Sequence, residues 1–151
     1  MYLPSMTYPL ANSALAKRQL HLVEKAPLNA IISKIGMCNK TSRAVIFGSI
    51  NLGGRAIRSL YLEQGTLQMK LVITEARRGT TVGKMIFIAL QWAQYNCGMG
   101  VPLFEMDTEC LHTESKYLKC IHRFLVHHGF KIVFPISYVM PLQRVGDQYI
   151  M

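Results

Sequence analysis

The chain has 151 residues, half of them hydrophobic and 17% charged, which excludes disorder driven by low hydropathy and fits one domain spanning residues 1–151. Seventeen Lys and Arg against eight Asp and Glu leave a formal net charge of +9, which favours an anionic partner. No apolar run approaches the ~20 residues of a membrane span. The N-terminus lacks the pattern of a secretory signal, and four cysteines do not suggest a disulfide scaffold, so the expectation is a soluble cytoplasmic protein with reduced thiols and no membrane partner.

In chain order, Asn12 and Ser13 predict the cap of a helix running through Leu15, Gln19, Leu22 and Val23. Pro27 stops it and opens a second helix, LNAIISKI, closed by Gly36. RAVIFGSI (43–50) is β-branched and apolar and reads as a strand. Gly53-Gly54 is a turn signal, AIRSLYL (56–62) alternates as a second strand, and TLQMKLVI (66–73) is a third after the Gln64-Gly65 turn. A helical pattern follows through Val82, Ile86, Ala89, Leu90 and Ala93, ended by Gly98 and Gly100. VPLFEM (101–106) reads as a strand, Glu114 to His128 as a helix stopped by Gly129, and Phe130 to Phe134 and Ile136 to Leu142 as two more strands. The predicted class is α/β, with element order ααβββαβαββ.

Strand, glycine-containing loop and helix form a ready anion site, because unpaired N–H groups and the dipole of the first helical turn point into the loop. Arg77, Arg78 and Lys84 surround that point with full charges. The segment ITEARRGTTVGKMIFIALQWAQ resembles the pyrophosphate-binding segment of the GNAT acyltransferase superfamily, whose Arg/Gln-x-x-Gly-x-Gly/Ala pattern falls on Arg78-Gly79-Thr80-Thr81-Val82-Gly83. The resemblance extends over residues 43–142 in element order, with Gly129-Phe130 where that family's Gly-Phe closes its last helix. It implies a single-domain, mixed but mostly antiparallel sheet flanked by helices. It implies further that Arg77, Arg78, Gly79, Thr80, Thr81, Val82, Gly83 and Lys84 hold the pyrophosphate of acetyl-CoA, the acyl donor, and that a backbone N–H near Val72, Ile73 and Thr74 polarises the thioester.

Acyl transfer to an amine needs a base for the amine and an acid for the departing thiolate. By the same resemblance Glu105 and Asp107, at the end of VPLFEMD, are the candidate bases, with Glu75 as runner-up. Tyr138 or Tyr117 would act as acid, since Leu125 stands where the family carries a tyrosine. His127 and His128 fit the cation preference of a helix C-terminus without chemistry. Cys110-x-His112 and Cys120-x-His122 lack the ligand spacing of a structural zinc site, so no metal is expected.

A second reading competes with acyl transfer. Residues 1–60 carry eight basic side chains and one acid, Glu24, a surplus of +7, whereas residues 61–151 carry +2. Together with the missing tyrosine, this points to a non-catalytic module that grips nucleic acid or an acidic protein through its N-terminal half. Exposed edge strands and the high apolar content make a homodimer plausible, and Trp92 fits core or interface.

Overall fold

The computed structural model describes residues 9–38, 40–98, 100–110 and 113–134. Among them it contains five α-helices, two short 3-10 turns and no β-strand: α1 (Lys17–Lys34), α2 (Arg43–Phe47), a turn at Ile50–Leu52, α3 (Leu60–Arg78), α4 (Thr81–Cys97), a turn at Leu103–Glu105 and α5 (Lys116–His128). A GNAT fold requires a sheet. The α/β class, the order ααβββαβαββ and the GNAT resemblance are therefore overturned, and with them the fold-based ground for the acetyltransferase reading. The predicted strand 136–142 lies outside the described residues.

The chain divides into two compact units, 1–66 and 67–151. In the first, the two predicted N-terminal helices are one, α1, with Pro27 inside it. Its entry is held by the Gln19 side chain, which accepts from the Ala16 N–H at 3.0 Å. Leu20, Leu28 and Ile32 recur at multiples of four and are buried on one face, the last two against Ile46 of α2.

RAVIF forms a helical turn rather than a strand because Ser42 caps it, its side chain accepting from the Ala44 N–H at 3.3 Å. The return loop then satisfies the carbonyls that a short helix leaves over. Arg55 N–H donates to Val45 at 2.8 Å, Ile57 to Ile46 at 3.1 Å and Ala56 to Gly48 at 2.8 Å.

In the second unit α3 and α4 follow one another across the Gly79 turn and contribute to one core. Val72 of α3 packs with Phe87, Leu90 and Ala93 of α4, and with Leu118, Ile121 and Leu125 of α5. Predicted strand 66–73 is thus the middle of α3. Predicted strand 101–106 is a 3-10 turn that buries Leu103 and Phe104. Residues 130–134 are irregular, with Ile132 N–H on the Phe104 carbonyl at 3.2 Å and Phe134 edge-on to Phe87 at 5.2 Å. Gly98 and Gly129 do end α4 and α5, both in left-handed conformation. Cys97 and Cys110 are joined by a disulfide, which corrects the expectation of reduced thiols at these two positions. No helix among the described residues is long and apolar enough to cross a membrane.

Candidate functional site

The residues expected to bind acetyl-CoA lie along α3 and the first turn of α4 rather than in a strand–loop–helix. Val72 is completely buried in the core of the second unit, and Ile73 and Thr74 lie in the same helix, where every backbone N–H has a helical partner to seek rather than a thioester. Arg77 and Arg78 occupy the last turn of α3, where cations offset the helix dipole. Gly79 turns the chain with φ +62°, and Thr80 caps α4.

The Thr80 hydroxyl accepts from the Gly83 N–H at 3.1 Å and donates to the Glu75 carboxylate at 2.5 Å. That carboxylate and one of the first-turn donors are therefore engaged with each other through Thr80. Gly83 is needed for another reason than phosphate approach: a Cβ there would collide with the backbone of Glu75, so this glycine lets α3 and α4 cross closely. Thr81, Val82 and Lys84 project to solvent.

Asp107 pairs with Lys131 at 2.8 Å, and Glu105 sits half-buried in the 3-10 turn. Tyr138 lies outside the described residues. Tyr117 packs against the core, and burial raises the pKa of its hydroxyl. Cys110 is held by its disulfide, while His122 is buried with Nε2 at 2.9 Å from the Thr108 carbonyl, which makes that nitrogen the donor.

The first unit holds a different arrangement. A cavity of about 400 Å³ opens between the start of α1, the α2 turn and the residues leading into α3. Leu20, Phe47 and Tyr61 give it apolar walls; Lys17, Arg18 and Arg43 bring three full positive charges to it. Its volume falls in the range of small-ligand pockets, and its chemistry is an apolar pocket with a cationic rim.

Each part has a local cause. Lys17, His21 and Glu24 fall at i, i+4 and i+7 along α1 and so share a face. The Lys17 ammonium lies over the Tyr61 ring, 5.1 Å from its centroid. Arg43 Nη2 donates to His21 Nε2 at 2.5 Å, since a guanidinium has only donors to offer.

Glu24, the single acid among the first sixty residues, accepts from the Leu60 N–H at 2.9 Å and anchors the start of α3 to α1. One turn later Gln64 ties α3 to the segment before α1, donating to the carbonyls of Leu15 at 3.2 Å and Ser13 at 3.4 Å. Arg58 pairs with Glu63 at 3.1 Å, which takes it out of the local surplus of charge.

The surplus of +7 in residues 1–60 pointed to this half of the chain, but nothing in the sequence joined Lys17, Arg18, His21, Arg43 and Tyr61 into one site. The i, i+4, i+7 spacing on α1 was the available signal for three of the lining residues; Arg43 and Tyr61 arrive only through tertiary packing. No protein-family model matches the sequence, and no curated protein and no solved structure proves similar to it.

Proposed function

We propose that the first unit is a binding module for single-stranded nucleic acid. The observation that carries this reading is the cavity itself: three cations, Lys17, Arg18 and Arg43, beside apolar and aromatic walls of Leu20, Phe47 and Tyr61. A nucleotide within a single strand presents the complementary surface, with its own and the neighbouring phosphates for the rim and an apolar base or sugar face for the interior. A duplex buries its bases and would use only the charges. The unit's overall excess of basic residues supplies long-range attraction to the same polyanion.

The test is anisotropy of a fluorescein-labelled single-stranded oligonucleotide titrated with the full chain across a salt series. Three neutralised phosphates give a log K versus log salt slope of about −2, at roughly 0.7 per phosphate on single strands. Absence of binding at low ionic strength sinks the reading. Binding of poly-glutamate with equal affinity would sink it too, in favour of an acidic protein partner.

A further inference from the structure

Helix α4 is apolar on two faces. Gly83, Phe87, Leu90 and Ala93 turn inward, while Val82, Met85, Ile88, Trp92 and Tyr95 are 50% to 65% exposed. At 100° per residue these five side chains cover one continuous arc, and Trp92 and Tyr95 stack at 5.9 Å within it. The helix carries a single charged residue, Lys84. A surface helix ordinarily turns a charged face to water, so an outward apolar stripe of this length marks a docking surface.

The geometry points to a second copy of this chain as the occupant, packed as an antiparallel pair of α4 helices about a two-fold axis near Ile88. Three observations select that partner. Successive stripe residues are separated by three, three, four and three positions, and Met85, Ile88, Trp92 and Tyr95 take the a and d positions of a heptad, the spacing by which helices pair along an apolar seam. The area suffices: five large side chains exposed by half to two-thirds offer on the order of 500 Å² per copy and about 1,000 Å² in the pair, near the lower bound of specific interfaces.

Charge fixes the direction. Lys84 lies at the N-terminal end of the stripe, and Glu114 stands at its other half, its carboxylate 3.5 Å from Trp92 Nε1. An antiparallel pair brings Lys84 of each copy toward Glu114 of the other, whereas a parallel pair sets Lys84 against Lys84. The isologous contact thus joins two strongly basic chains through a face that carries almost none of their charge.

Trp92 is the only tryptophan in the chain, so its emission reports on this face directly. The full chain is examined by sedimentation velocity and intrinsic fluorescence from low-micromolar to high-micromolar concentration. The expected result is a shift toward twice the chain mass, with Trp92 emission moving to the blue over the same range. Ile88→Glu places a charge at the centre of the seam and should weaken association at least 10-fold, with an unchanged circular-dichroism spectrum. Met85→Lys serves as a second variant with the same expectation.

A monomer at all concentrations overturns the proposal. If such a monomer already shows the emission of a shielded indole, another part of the same chain covers the face. A dimer that survives Ile88→Glu and Met85→Lys unaltered overturns it as well, since the interface then lies elsewhere. Adhesion to anionic vesicles without self-association would reassign the stripe to a lipid surface.

Discussion

The backbone of Gly83 in α4 passes so near the Glu75 carbonyl in α3 that no side-chain atom fits between the two helices at that point. Replacing Gly83 by Ala sets two effects against each other. Helix propensity favours Ala by about 1 kcal/mol. The added Cβ meets backbone atoms, which cannot rotate away, and forcing an extra carbon into such a contact costs about 1–3 kcal/mol or more. The clash should win. Gly83→Ala is expected to lower the denaturant midpoint without altering the affinity of the first unit for oligonucleotide. A stabilised variant would show that the helices separate at no cost.

The same glycine illustrates what could be read from the chain beforehand. Helices α4 and α5 were legible because apolar residues recur every three to four positions and Gly98 and Gly129 close them. Helix α3 was not. Its inward row runs Leu60, Gln64, Gln68, Val72, and two glutamines in a buried stripe hide the helical period. Gly65, in the interior of the helix, looked like a turn. Gln64 is buried because it serves the carbonyls of Ser13 and Leu15, a tertiary bond that no local pattern announces. RAVIF has the β-branched composition of a strand, and only Ser42 and the returning backbone of 55–57 make it helical. A surplus of positive charge was visible in the composition, but the meeting of Arg43 with His21 across 22 positions was not.

Tyr117 makes stability pH-dependent at the alkaline end. Burial raises its hydroxyl pKa above the ordinary value near 10. As pH rises past that value the unfolded chain loses this proton while the folded chain keeps it. The unfolded state then binds fewer protons, so stability falls with increasing pH. Urea midpoints at pH 9 and pH 11 should differ more for the wild type than for Tyr117→Phe. Equal differences would show that this hydroxyl titrates alike in both states.

The four cysteines should separate into three reactivity classes. Cys38 is exposed, and its thiol should alkylate first. Cys120 is half-buried, and desolvation raises its pKa more than the neighbouring Arg123 lowers it, so its thiolate forms only at higher pH and labelling at pH 8 should lag well behind Cys38. Cys97 and Cys110 should label only after reduction. Opening that bridge frees a loop closed over a sequence separation of 13 and should cost about 3 kcal/mol by the chain-entropy relation. Peptide mass spectrometry after timed alkylation reads all four sites, and rapid labelling of Cys97 in the unreduced chain would refute the pairing.

Glu24 contributes a negative charge to a cavity otherwise rimmed by cations, yet its carboxylate also accepts from the Leu60 N–H. Glu24→Gln keeps an acceptor oxygen at that position and removes the charge. Oligonucleotide affinity should rise several-fold at low salt, while stability falls by no more than about 1 kcal/mol, the worth of a charge at a helix N-terminus. An unchanged affinity would mean that the bound phosphates stay outside the field of this carboxylate.

The decisive comparison sets Arg43→Ala against Lys25→Ala, two exposed cations of the same unit of which only Arg43 belongs to the cavity. If attraction came from net charge alone, the two variants would lose affinity equally. A defined site predicts otherwise. Loss of Arg43 removes one phosphate contact, so the salt slope should shrink by about 0.7 and affinity should fall roughly uniformly across base sequences. Loss of Lys25 should leave the slope nearly unchanged and reduce affinity only at low ionic strength, because its field is screened beyond about 10 Å at 0.1 M salt. Arg43→Lys separates charge from shape: the ammonium restores the slope, but it lacks the planar fork that reaches His21 and a phosphate together, so affinity should recover only in part. Equal slopes for Arg43→Ala and Lys25→Ala would dissolve the site into a general basic surface.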